Sequence, residues 1–221
     1  MSRSVFDPAF DELPAALPVF PLAGALLLPK GRLPLNIFEP RYLAMTRDAL
    51  KGERLIGMVQ PQDGGGNADA PPLYRTGCAG RLVSFSETED GRYLIALSGL
   101  TRFHIVEELP RDRAYRRVTP DWQPFRGDYD DAPAGLIDRP RLLAALKPFF
   151  ERFGIAGDWK ALEGTPDERL VAVLAMACPF RPSEKQALLE APALAERARL
   201  LTALVEMAVL GGEQPDDAPR H

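Results

Sequence analysis

The stretch LPVFPLAGALLLPKGRLPLNIFEPRY, residues 17–42, limits what this chain can fold into more than any other feature. It is apolar enough for a membrane or a core, yet Pro18, Pro21, Pro29, Pro34 and Pro40 interrupt it. Proline has no N–H and clashes with the preceding helical turn, whereas a spanning helix needs about 20 suitable apolar residues in a row. The longest run without charge, Leu13 to Pro29, carries four prolines, so a membrane span is rejected. What fits is two short strands, 17–22 and 33–38, joined through a turn at Pro29-Lys30-Gly31. Each has its prolines at a sheet edge or strand end, where a missing donor costs least.

The period then changes. In EPRYLAMTRDALKGE the apolar residues Tyr42, Leu43, Met45, Ala49 and Leu50 recur at helical spacing, with Pro40 in the first turn and Gly52 as the C-terminal cap. RLIGMVQP, residues 54–61, reads as a strand. QDGGGNADAPP, residues 62–72, reads as a flexible loop whose Gly64–Gly66 run lacks the strand-loop-helix setting of a phosphate cradle. The segment from Tyr74 to Trp122 is rich in β-branched, aromatic and alternating residues. Asp90-Gly91 predicts a two-residue hairpin turn joining 81–87 to 92–98, and Gly99 predicts a break or bulge before 101–107. These strands and one helix predict a small barrel or a strongly bent sheet over residues 13–122.

Pro120 to Asp138 is proline-rich and acidic, and separates this region from a helical one at 138–212, making the fold class α+β. RPRLLAALKPFFERFG carries an apolar stripe with a kink expected at Pro148. Thr165-Pro166-Asp167-Glu168 and Ser183-Glu184-Lys185-Gln186 read as capping boxes opening two further helices, and residues 192–210 as a long last one.

Taken in order, LPVFPL, LPLNIFEPRYLAMTRDAL, LIGMVQ, LYRTGCAGRLVSF and DGRYLIALSGLTRFHIVE resemble the N-terminal, substrate-binding domain of the ATP-dependent Lon protease family. The helical segments DERLVAVLAMACPFRPSEKQALLE and ALAERARLLTALVE are similar to the helical part of the same domain. The resemblance runs over residues 15–208. It implies a PUA-like β pseudobarrel of six to seven short strands with one inserted helix, followed by a C-terminal helical bundle. The ATPase and Ser-Lys protease modules of Lon are not matched, and no GxxxxGK[ST] occurs. The resemblance therefore implies a stand-alone, non-enzymatic module that binds polypeptide, either unfolded substrates or a partner in protein quality control.

Composition agrees with a globular protein: 46% apolar and 26% charged residues rule out wholesale disorder. A net charge of -4 gives no general attraction to phosphate. The opening MSRSVFDPAFDELP has acids and prolines where a signal peptide needs an apolar run, so a cytoplasmic location is expected. Cys78 and Cys178 form no CxxC and read as buried thiols. With His104 alone in TRFHIVEE, no metal site and no cofactor are expected. Ser84, Ser86 and Ser98 lack a nucleophile elbow, and capping explains Ser183 beside Lys185, so no catalytic residue is assigned.

Two surfaces remain as candidates. Edge strands expose unpaired backbone groups that an extended chain can complete, which points to Phe20, Phe38, Arg41 and Tyr42 as peptide contacts. Their structural alternative is that Phe38 and Tyr42 pin the first helix, with Glu39 and Arg41 as an ion pair. Arg102, Arg111, Arg113, Arg116 and Arg117, interleaved with Tyr115, form the one basic concentration and give an RNA-binding alternative, for which PUA-like folds offer an analogy. Glu107, Glu108, Asp112 and Asp121 surround them and favour a solvated, ion-paired strand face instead.

Overall fold

The computed structural model describes residues 4–62, 71–133 and 135–211; the Gly64–Gly66 run and the tail from residue 212 lie outside the described residues. The chain divides into two compact units, Met1–Asp131 and Ala132–His221.

The first unit holds six strands, β1 (Leu17–Pro21), β2 (Arg32–Ile37), β3 (Leu55–Val59), β4 (Thr76–Glu87), β5 (Tyr93–Glu108) and β6 (Arg117–Asp121), with helix α1 (Pro40–Lys51) between β2 and β3. Their order is β2-β5-β4-β3-β1-β6, and β6 pairs with β5 as well as β1. Five strands therefore close a ring while β2 stays outside it, a partly closed sheet rather than a clean barrel. Among the described strands only β1 and β3 run parallel. Leu17, Val19, Leu55, Val59, Ala79, Phe103 and Val118 form the core, with Phe10 and Trp122 against it.

Not all the strands are short: β4 has 12 residues and β5 has 16. The break expected at Gly99 is an irregularity within one continuous strand. Gly80 faces Gly99 and Ala79 faces Thr101, which leaves Leu100 as the extra residue. Gly99 itself serves a different need. A Cβ there would overlap the carbonyl oxygen of Leu28, and the turn is tied to the strand by Lys30 N–H to Gly99 O (2.9 Å) and Gly99 N–H to Gly31 O (2.9 Å).

The β4–β5 turn also differs from its expectation. Gly91 N–H donates to Thr88 O, Thr88 N–H donates to Arg92 O, and Gly91 has φ 81° while Asp90 keeps a negative φ. This is a three-residue loop of a turn followed by a left-handed glycine, rather than the two-residue turn that needs both central residues at positive φ.

Residues 120–138, read from composition as a separator, begin with structure. A 3-10 turn at Gln123–Tyr129 packs on β5 and buries Phe125. Asp128 accepts from Arg102 Nε (2.9 Å), from Arg102 Nη2 (2.8 Å) and from the Arg102 backbone N–H (2.9 Å). Both side chains are buried, and the guanidinium lies 4.6 Å from the Phe125 ring centre. An acid that looks like linker composition is the counter-charge of a buried arginine.

The second unit contains α2 (Arg139–Phe153), α3 (Trp159–Gly164), α4 (Asp167–Ala177), α5 (Pro182–Glu190) and α6 (Leu194–Leu210). Leu142, Leu146 and Phe149 of α2, Leu170 and Val171 of α4, Leu188 of α5 and Leu201 and Val205 of α6 are among its most buried apolar positions. Helix α3 has no buried residue to announce it in the sequence and is held at its start by Ala161 N–H donating to Asp158 (3.0 Å). Thr165 does not cap α4. It ends α3, its hydroxyl donating to Ala161 O (2.7 Å), and Pro166 precedes α4 without a side-chain cap. At α5 the capping glutamate is present, Glu184 accepting from Arg181 N–H (2.8 Å), but the position before the helix is Arg181 rather than Ser183. Pro148 sits inside α2 on an exposed position, where water can serve the carbonyl it leaves unpaired.

Two substitutions test this architecture. Gly99→Ala forces the 28–31 turn off the strand and is expected to lower stability by about 2 kcal/mol. Asp128→Ala leaves a buried guanidinium without its counter-charge and is expected to cost about 3 kcal/mol. Urea unfolding of each variant measures both, and a midpoint within error of the parent contradicts the corresponding contact.

Candidate functional site

Among the described residues, strand β2 pairs with β5 alone. Its register, Leu33 opposite Leu97, Leu35 opposite Ile95 and Ile37 opposite Tyr93, continues the Gly31–Gly99 pair in which Gly99 donates to Gly31. Antiparallel pairs alternate between bonded and non-bonded. Leu33, Leu35 and Ile37 therefore turn their backbone groups towards β5, and Arg32, Pro34 and Asn36 turn theirs to the open edge. That edge offers the N–H groups of Arg32 and Asn36 and the C=O groups of all three. Pro34 falls on an outward position, where its missing N–H breaks no bond within the sheet. The end of β4 beyond Leu82 is a second open edge, blunted by Ser84, Ser86, Glu87 and a register shift.

The two faces of this three-stranded part differ. On one, Ile37, Ile95, Leu97 and Leu82 are buried, with Leu33 and Leu35 half-buried at the rim. The other is open to solvent. Asn36 sits opposite Leu94, which in turn faces Ser86. Leu94 is 47% exposed and Phe38, next in the alternation after Ile37, is 60% exposed. The Arg92 guanidinium lies 5.9 Å from the Phe38 ring centre and is paired with Asp90 at 2.8 Å.

Of the four residues singled out for peptide contact, the structure brings Phe38 and Arg41 to the surface and keeps Phe20 and Tyr42 beneath it. Phe20 and Tyr42 are each 6% exposed and their rings stack at 4.1 Å, joining β1 to α1. Burial raises the Tyr42 hydroxyl pKa above its ordinary value, partly offset by Arg41. Arg41 pairs with Glu39 at 2.8 Å and covers the Tyr42 ring at 4.7 Å. Phe20 and Tyr42 thus act as the floor of the corner, the arrangement that helix-pinning requires. The open face beside Phe38 also carries Leu94 and Arg92, which the sequence-based set does not include. The signal was present in DGRYLIALSG, where strict alternation groups Leu94 with Arg92 and Ser98 rather than with Tyr93, Ile95 and Leu97.

Four of the five arginines in the cluster are paired with carboxylates, and Arg111 is exposed. Arg102 is buried against Asp128. Arg113 pairs with Asp48 (3.1 Å) and Arg117 with Asp112 (2.7 Å). Arg116 pairs with Glu108 and also donates to Pro71 O (2.7 Å). Tyr115 is buried and donates to Asp48 at 2.8 Å; burial first, then that bond, push its hydroxyl up to about 12. Arg102 in particular is no surface contact.

The remaining chemical candidates are structural. His104 Nδ1 lies 3.2 Å from the Thr76 hydroxyl and its ring meets Phe125 edge-on at 4.7 Å. Cys78 is fully buried, and burial pushes the Cys178 thiol up to about 12. Among the described residues no group of three or more His, Cys, Asp or Glu is placed to hold a metal. No described helix is long and apolar enough to cross a membrane.

The comparisons with known proteins agree with the fold. The family model of the ATP-dependent protease La (LON) substrate-binding domain matches residues 16–206. A Lon protease of Anaeromyxobacter dehalogenans (strain 2CP-C) is 26% identical over 202 residues, 88% of this chain and 23% of that protein. Lon protease 2 of Sorangium cellulosum (strain So ce56) is 27% identical over 213 residues, 92% of this chain and 26% of that protein. The chain thus spans about a quarter of the length of these curated relatives. Among solved structures, a Lon N-terminal domain protein from Xanthomonas campestris superimposes with a TM-score of 0.59 at 24% identity, covering 85% of this chain and 97% of that one. The N-terminal domain of a Mycobacterium avium complex Lon protease gives 0.61 at 16% identity, covering 86% and 97%. On the strength of a match that runs through both units, the chain belongs to the family of Lon substrate-binding domains.

Proposed function

We propose that this protein is a non-enzymatic module that binds extended or unfolded polypeptide, in the manner of a substrate receptor for protein quality control, and that it does so at the β2 edge and the exposed face beside it. The observation that carries this reading is an unpaired strand edge bordered by two exposed apolar side chains, Phe38 and Leu94.

Magnitudes favour a joint use of edge and face. Five outward backbone groups at a net of about 1 kcal/mol per hydrogen bond give about 5 kcal/mol. Loss of translational and rotational freedom alone costs roughly 4–15 kcal/mol. The edge by itself therefore does not hold a client, and apolar burial has to supply the surplus. Covering the exposed parts of Phe38 and Leu94 adds about 1 kcal/mol each. The sum describes weak binding with little sequence preference, because most of it comes from backbone and unspecific apolar contact. The RNA alternative has less support, since each of Arg102, Arg113, Arg116 and Arg117 is already held by a carboxylate.

The test is fluorescence anisotropy with a labelled, reduced and carboxymethylated protein as an unfolded client. The Phe38→Ser, Leu94→Ser double variant is expected to bind about thirtyfold more weakly while its unfolding midpoint stays close to the parent's. Undiminished affinity in the folded double variant removes this face from the proposed site.

A further inference from the structure

Resting on that reading, we propose that the β2 edge selects clients by a defined chemistry: an extended segment with alternate apolar residues and an acidic side chain that docks against Arg32. Three observations meet here. First, the outward backbone groups belong to Arg32, Pro34 and Asn36, as fixed by the register with β5. A chain added there becomes a seventh strand, and its side chains alternate between the two faces of the sheet.

Second, the rim that such a strand meets is different on its two sides. On the buried face the neighbours are Leu33 and Leu35, each half-buried and each beside a core residue, Leu97 and Ile95. Client residues on that side extend an existing apolar layer and are favoured when apolar. On the open face the neighbours are Arg32, Pro34 and Asn36, all exposed. Client residues beside Arg32 and Pro34 remain in water and are favoured when polar, while the one beside Asn36 reaches Phe38 and Leu94.

Third, the Arg32 side chain has no ion-pair or hydrogen-bond partner among the described residues, a state it shares with Arg54, Arg75 and Arg111 but not with the two arginines beside the Phe38 corner. Arg41 has Glu39 and Arg92 has Asp90. An arginine without a partner at the start of an open edge gives that edge a local positive charge. A carboxylate on the docked strand two residues from the one facing Pro34 lies directly across from it, in the position where cross-strand charge pairs act.

Two short capped, labelled peptides test this on the whole chain. Both alternate valine with serine, and one serine near the end is replaced by aspartate in the first and by lysine in the second. The aspartate peptide is expected to bind more tightly. Arg32→Glu is expected to invert that preference, moving the ratio of the two affinities by about fivefold. Pro34→Val restores an outward N–H and is expected to tighten both peptides by about fivefold, a gain that damage to the fold does not produce. If Arg32→Glu leaves the ratio unchanged, or Pro34→Val tightens neither peptide, the inference is overturned. In that case the unfolded carboxymethylated client discriminates further: binding that persists leaves the receptor reading standing, and no binding by either kind of ligand removes both.

Discussion

The contact between Gly99 and the Leu28–Gly31 turn sets the geometry of the first unit. Before Gly99, β5 lies between β2 and β4; after it, the same strand lies between β4 and β6. One strand thus serves an open three-stranded sheet and a closed ring, and it must bend between them. The extra residue Leu100 supplies the bend. The bare Cα of Gly99 lets the turn approach to backbone hydrogen-bond distance. Lys30, held at φ 63°, completes the turn, and its ammonium reaches Asp131 at 2.8 Å. Because the ring closes through β6, the strand left unpaired along one whole side among the described residues is β2, and the location of the candidate site follows from the bend.

Prolines then manage the consequences. Pro18 lies one residue before β1 begins to pair with β3 at Val19, and Pro21 is the last residue of that strand. Neither has to donate in the middle of a two-sided ladder. Pro34 occupies the centre of the open edge and points its missing donor outward. The same chemistry ends pairing in one strand and limits it in another, so the apolar, proline-rich opening of the chain encodes where the sheet stops.

This much was legible because proline and period-2 alternation act locally. The strands, the first helix and the helical half follow from residues close in sequence. What was not legible depends on partners far away. Asp128 looks like linker composition until Arg102 is known to need it, 26 residues earlier. Thr165 satisfies the sequence pattern of a cap, but the helix ending just before it takes its hydroxyl first. Phe20 and Tyr42 share the apolar character of Phe38, and only the stacking of β1 on α1 decides that they are covered while Phe38 is not. Leu94 is the converse case, a leucine that alternation puts on an open face and composition assigns to a core.

An edge that receives extended chains also invites copies of itself, and the position of Pro34 bears on that conflict. Antiparallel self-pairing through the outward groups places residues from the set Arg32, Pro34 and Asn36 opposite one another. In each symmetric register that engages two or more of them, Pro34 is met from both sides, so the pair loses two donors. A client strand without proline loses one. At a net of about 1 kcal/mol per bond, the extra loss disfavours self-association by roughly fivefold relative to client docking, before any shape term is counted. A single proline in the middle of the strand therefore shifts the balance between partners more than it weakens the edge, which is how an exposed edge can stay available without becoming an aggregation seed.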